Sequence, residues 1–196
     1  MKISLNKLTA TGFFMNIKLN NKEKKYLFTC FHVISDKDIQ NQITIDIYFG
    51  KKGKETHKKI ELDKNMRFMK AYKEEDVTLI EIIDNDVISE KKFLTPDLNY
   101  EYGYTRYLKK NFYLAGYPKS YGERCISSGR IIKIDNYQFF HKLDTSEGSS
   151  GSPIINDKGD VIGIHTGGNE ILRQNKGIFI GKILDNLKAS FFPKII

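Results

Sequence analysis

The 196-residue chain predicts an all-β fold closed by one C-terminal helix. Three observations carry that prediction. Short segments that alternate apolar and polar residues recur along most of the length, the period-2 signature of half-buried strands. Clusters of Asn, Asp, Gly and Lys separate them and supply what tight turns require. Helical spacing is confined to residues 180–192, where Ile183, Leu187 and Phe191 recur every four positions and Pro193 closes the segment.

Taken in order, alternation through Phe13, Met15, Ile17 and Leu19 predicts a strand over residues 12–19, ended by the turn Asn20-Asn21-Lys22. The apolar run Tyr26-Leu27-Phe28 gives a strand over 26–30. Ile43, Ile45, Ile47 and Phe49 mark the next over 43–49; a turn follows at 50–53 and a further strand at 57–62. Residues 78–83 continue the alternation. Residues 91–110 are the least regular, with Pro96-Asp97 and the tyrosines Tyr100, Tyr102, Tyr104 and Tyr107, and read as a long connection between two halves. Beyond it, strands are predicted over 111–115, 129–134, 137–143, 153–155, 161–165 and 177–180, with a hairpin turn at Asn156-Asp157-Lys158-Gly159. No repeat or low-complexity linker interrupts the pattern.

Hydrophobic residues make up 40% of the chain, enough for one β-rich domain or two small subdomains around a shared core. In the absence of Trp, 13 Phe and 11 Tyr supply the aromatic packing. A formal charge of +8 invites a nucleic-acid reading, and the four tyrosines with Lys109 and Lys110 would suit base stacking in a basic groove. The charge is dispersed, however, apart from Lys51-Lys52-Gly53-Lys54 and Lys58-Lys59, a run that reads as a solvated hairpin tip. Tyrosine-rich loops more often pack or line a peptide cleft, so nucleic acid is not the expected partner. No stretch of about 18 apolar residues occurs, and no membrane span is expected. Lys7 breaks the apolar run that a signal peptide needs, which predicts cytoplasmic residence; a trimmed mature form would instead be secreted. Cys30 and Cys125 do not make a disulfide framework and read as free thiols. No Cys/His spacing fits zinc, so neither metal nor cofactor is expected.

The chemistry is concentrated in Gly148-Ser149-Ser150-Gly151-Ser152-Pro153. A serine among residues too small to obstruct it, in a turn whose backbone N–H groups point outward, suits a nucleophile and its oxyanion hole. Alone, a Gly/Ser cluster is usually just a turn. Upstream lie Thr29-Cys30-Phe31-His32-Val33 and Asp76-Val77-Thr78-Leu79-Ile80: a histidine after a strand, then an aspartate opening a later one. His32 alone reads as a packed core histidine, and Asp76 alone as a turn cap. The joint order His, Asp, Ser outweighs both.

In that order the chain resembles the chymotrypsin-like serine proteases. The α/β-hydrolases run Ser, Asp, His around a Gly-x-Ser-x-Gly elbow, whose last position here is Ser152, and are excluded. The resemblance implies two antiparallel six-stranded β-barrels with a C-terminal helix. Residues 1–92 would form the barrel carrying His and Asp, 93–110 the connection, and 111–196 the barrel carrying Ser, the S1 pocket and the helix. Ser150 would attack, His32 would take its proton, Asp76 would hold the imidazole, and the amides of Gly148 and Ser150 would receive the oxyanion. A protein or peptide substrate follows. The alternative is a catalytically silent protease fold that binds other proteins.

Residues 144–153, the stretch Val161-Ile162-Gly163-Ile164-His165-Thr166-Gly167-Gly168 and the tripeptide Gly116-Tyr117-Pro118 are most similar to the bacterial glutamyl endopeptidases. In that branch the threonine five before the nucleophile and the histidine fifteen after it hold an acidic P1 side chain; here these are Thr145 and His165, with Gly167 beside them. The turn at 156–159 independently brings Ser150 and His165 to one level of a hairpin. That gives a preference for Glu at P1, with Gln or Asp as alternatives. The matching location holds no acid, so a Lys/Arg pocket is not expected. Ser149 stands where trypsin-type zymogens carry the aspartate that pairs with a new amino terminus, so that switch is absent. In the glutamyl branch a freed amino terminus can help bind the P1 carboxylate, which makes the place of Met1 a question for the structure, and Glu147 would weaken such binding. A regulatory protein partner acting through residues 91–110 is a further expectation.

Overall fold

The computed structural model describes residues 1–5, 8–19, 21–51, 53–169 and 174–191. The layering of the first half is set by which way alternate side chains face. In β3 (Phe13–Leu19), Phe13, Met15, Ile17 and Leu19 enter one apolar cluster and Phe14 enters another. β4 (Lys22–Thr29) and β8 (Val77–Glu81) divide likewise, with Tyr26, Phe28, Val77 and Leu79 in the first cluster and Leu27 and Ile80 in the second. Successive residues of a strand point to opposite faces, so this sheet is covered on both sides. With β7 (Met69–Tyr72) and β9 (Phe93–Leu94) at its edges, it runs β7-β8-β4-β3-β9.

A second sheet closes the far cluster. It comprises β1 (Lys2–Leu5), β2 (Leu8–Thr11), β5 (Thr44–Lys51) and β6 (Lys54–Glu61) in the order β2-β1-β5-β6. Ile3, Ala10, Ile45, Ile47, Phe49 and Ile60 are its buried contribution to that cluster. This departs from the six-stranded barrel expected for residues 1–92. β5 pairs with β1 rather than with the five-stranded sheet, so the described strands form two facing sheets instead of one closed ladder. The hairpin expected at the lysine run is present, with Lys51 opposite Lys54 and Gly53 exposed; Lys52 lies outside the described residues.

The second half does close into a barrel. β10 (Asn111–Gly116), β11 (Cys125–Asp135), β12 (Gln138–His141), β15 (Gln174–Phe179), β14 (Val161–Asn169) and β13 (Pro153–Ile155) follow one another, and β13 returns to β10. Phe139 fills its interior beside Phe179, ring centroids 4.5 Å apart. Gly163 and Gly177 make room for that ring: a Cβ on them would lie 2.7 and 2.5 Å from its carbons.

Residues 91–110 include short 3-10 turns at Leu98–Tyr102 and Tyr104–Tyr107. Tyr100 and Tyr107 are buried, Tyr104 stacks on Phe179 at 4.3 Å, and Tyr102 is 79% exposed. These rings therefore pack the protein rather than form a stacking platform. α2 (Ile180–Phe191) buries Ile183, Leu184 and Leu187, while Phe191 leans on Phe68 with centroids 4.9 Å apart. Phe192 and Pro193, expected to end the helix, lie outside the described residues, as does Asn20 of the first turn. A short helix that alternation did not reveal, α1 (Asp36–Gln40), follows His32. Among the described residues no helix is long and apolar enough to cross a membrane.

Candidate active site

Asp76 immediately precedes β8 in a left-handed conformation, φ 56°, which aspartate tolerates better than most residues. That turn directs its carboxylate at the residues following β4. Oδ1 accepts the backbone N–H of His32 at 3.0 Å, and Oδ2 lies 2.8 Å from His32 Nδ1. An ionised carboxylate only accepts, so Nδ1 carries the ring proton and Nε2 keeps a free lone pair. The ring is 47% exposed and so open to a reacting partner.

The Ser150 loop is shaped by two glycines. Gly148 has φ 93° and Gly151 φ 85°, and a Cβ on Gly151 would sit 2.1 Å from the Thr11 carbonyl oxygen. Only glycine satisfies both demands. Buried Thr11, in β2, clamps the loop from the other half of the molecule. Its amide donates to the Ser150 carbonyl at 2.9 Å, its Oγ1 donates to the Gly148 carbonyl at 2.8 Å, and the Tyr117 amide donates back to Oγ1. Ser149 is buried and its Oγ accepts the Ser146 N–H at 3.1 Å. The amides of Ser149 and Ser152 are engaged within the loop and that of Gly151 by the His165 carbonyl. Those of Gly148 and Ser150 have no protein partner among the described residues, leaving two donors beside the hydroxyl.

The segments that carry His32 and Ser150 meet at one crevice, on the His165 carbonyl. The Cys30 thiol, within 4.8 Å of the side-chain donor atoms of His32 and Asp76, reaches the His165 carbonyl at 3.4 Å. The same carbonyl accepts the Gly151 N–H at 2.9 Å. His32 and Ser150 are not themselves hydrogen-bonded. Burial pushes the Cys30 thiol well up, so it stays protonated and is a poor metal ligand. Cys30 and Cys125 are both free.

Ser150, Thr145, His165 and Gly167 line one cavity of about 610 Å³. The hairpin geometry holds, with His165 N–H donating to the Ser152 carbonyl at 2.9 Å. Behind His165 stands His141, a residue the sequence pattern gave no reason to single out. The Leu143 amide donates to His141 Nδ1 at 3.3 Å, so the His141 proton is on Nε2, 3.2 Å from His165 Nδ1. His165 must then carry its own proton on Nε2. Burial lowers the His165 pKa to about 4, partly offset by a backbone hydrogen bond to Lys176, and that of His141 to about 3. Both rings are neutral at pH 7. Met1 lies in a different cavity, paired with Gly12, and Glu147 is ion-paired with Lys119 at 2.8 Å.

A pH dependence of stability follows. Above pH 6.5, the ordinary histidine value, both rings are neutral whether folded or unfolded. Below it the unfolded chain gains protons that the folded one refuses, by about 1.4 kcal/mol per pH unit per histidine. The urea midpoint is expected to fall steeply from pH 6.5 to 4.5. His141→Gln should show a shallower fall; equal slopes would contradict the buried neutral pair.

The trypsin-like peptidase domain family matches residues 10–164. A glutamyl endopeptidase of Staphylococcus epidermidis is 31% identical over 90 residues, 45% of this chain and 32% of that protein. One from Staphylococcus aureus is 36% identical over 83 residues, 40% of this chain and 24% of its own length. The matched stretch thus spans a third or less of these relatives. Among solved structures, the Rv3671c protease from M. tuberculosis in its active form has a TM-score of 0.63 at 17% identity, covering 92% of this chain and 72% of that one. A Glu endopeptidase in complex with MPD has a TM-score of 0.65 at 14% identity, covering 96% and 89%. At such identities the structural likeness speaks for the chymotrypsin-like fold.

Proposed function

Because the chain belongs to the trypsin-like peptidase domain family, we propose that it is a serine endopeptidase cutting after glutamate, with glutamine and aspartate as weaker P1 residues. The observation that carries the reading is the 2.8 Å contact of His32 Nδ1 with Asp76, with the nearby Cys30 thiol and the Gly151 amide of the Ser150 loop both on the His165 carbonyl. Ser150 Oγ attacks the scissile carbonyl carbon while His32 Nε2 takes the hydroxyl proton. Asp76 keeps Nδ1 protonated and stabilises the imidazolium. The amides of Gly148 and Ser150 receive the negative charge on the carbonyl oxygen. Collapse breaks the C–N bond and His32 returns the proton to the leaving amine. Water then hydrolyses the acyl-enzyme with His32 again as base.

Neutral His165 supports the P1 assignment. Its Nε2–H can be given to a carboxylate or amide oxygen in the cavity, in competition with the Lys176 carbonyl, and it offers nothing to a lysine or arginine head. Thr145 is a further polar residue of the wall, which also carries Lys142, Asp144, Glu147, Gln174 and Asn175. Peptides differing only at P1 test this: Glu should exceed Lys, Arg and Ala by at least about tenfold in kcat/KM. A flat profile removes the pocket assignment while leaving the triad standing.

A further inference from the structure

A groove outside the crevice has an unusual composition. It encloses about 630 Å³ between the N-terminal sheets and the C-terminal barrel. Phe49, Leu94 and Ile155 supply apolar lining, and Lys54, Lys92 and Arg124 supply charge. No Asp or Glu lines it among the described residues. Among the described residues the three cations form no ion pair, and Lys92 lies 5.6 Å over the ring of Phe49. The nearby Glu55 carboxylate is turned to the Gly53 amide at 3.2 Å. An apolar trough whose wall carries three cations and no acid complements a ligand that is apolar and acidic together.

From this groove, we infer that it is an exosite for a segment of the protein substrate in which Phe-, Leu- or Ile-type residues are interspersed with Glu or Asp. The substrate is the favoured source because the groove is continuous with the catalytic surface. Ile126 lines both it and a second cavity, which shares Asp144, Thr145 and Ser146 with the cavity holding His165. Gly12 and Tyr117, in its wall, adjoin or bind Thr11, the clamp on Gly148 and Ser150. One extended chain can therefore engage both places. The net charge of +8 would favour encounter with acidic proteins. The inference rests on the endopeptidase reading for its substrate, but its binding does not depend on catalysis.

The test uses the full chain with Ser150→Ala, so that nothing is cleaved, and a short fluorescein-labelled peptide alternating Phe and Glu. Anisotropy should show saturable binding that weakens with salt. Lys92→Glu/Arg124→Glu should raise Kd at least about tenfold, and the milder Lys92→Gln/Arg124→Gln by a smaller factor. With Ser150 intact, the charge-reversed chain should cleave a short P1-Glu reporter within about twofold of the unmodified chain, and a protein substrate carrying an acidic apolar segment at least about tenfold more slowly. Unchanged Kd in both variants overturns the exosite, whatever the activity. Binding that follows the charges in a chain without peptidase activity upholds the groove and sinks the endopeptidase reading instead.

Discussion

Ser150→Ala is expected to lower kcat by at least about 10⁴-fold on any peptide that the unmodified chain cleaves. The Oγ is the only heavy atom lost, and among the described residues no hydrogen bond of that hydroxyl goes with it. What holds the loop is backbone: the Ser150 carbonyl on the Thr11 amide, the Gly151 amide on the His165 carbonyl, and Thr11 Oγ1 on Gly148. The thermal midpoint should accordingly shift by no more than a few degrees. The residual rate would come from the Gly148 and Ser150 amides, which remain able to polarise a bound carbonyl. A variant that keeps more than about a tenth of the activity would assign the nucleophile elsewhere.

Asp76→Asn is expected to cost about 10³–10⁴ in kcat, with little change in folding. Asparagine tolerates the left-handed backbone found at this position as well as aspartate does. It offers one oxygen, however, where the carboxylate uses two, one for the His32 amide and one for Nδ1. If the oxygen keeps the backbone contact, the amide nitrogen faces Nδ1 and donates to it. The imidazole proton then moves to Nε2, and the ring can no longer accept from Ser150. Proton NMR of the His32 ring reads this tautomer directly, which separates it from loss of structure. Retention of the Nδ1 proton together with full activity would refute the role assigned to Asp76.

Sequence alternation was enough to find the strands that carry most of the core, because β3, β5, β10 and β13 bury residues at every second position or in a short apolar run. It could not find β1, β2, β7 or β9. Ile3, Ala10 and the polar Thr11 are the buried residues of the first two, too few apolar positions to establish a period. Those omissions also misled the topology, since β1 is the strand that draws β5 into a separate sheet. For the candidate site, His32, Asp76 and Ser150 could be proposed because a chemical order of residue types survives in one dimension, and the first two do meet. Thr11 and His141 could not be. Thr11 acts on a carbonyl 137 residues away, and His141 matters only through the ring of His165. A histidine two positions after Phe139, on the same face of a predicted strand, was the one available signal for the latter.

Labelling with a fluorophosphonate addresses the main premise most directly, because such probes react only with a serine hydroxyl that a neighbouring base has activated. Peptide mapping of the unmodified protein should find a single adduct, on Ser150, formed more slowly once His32 is replaced by alanine. No adduct, or one on a different residue, would mean that the crevice joining the two halves does not house a working nucleophile.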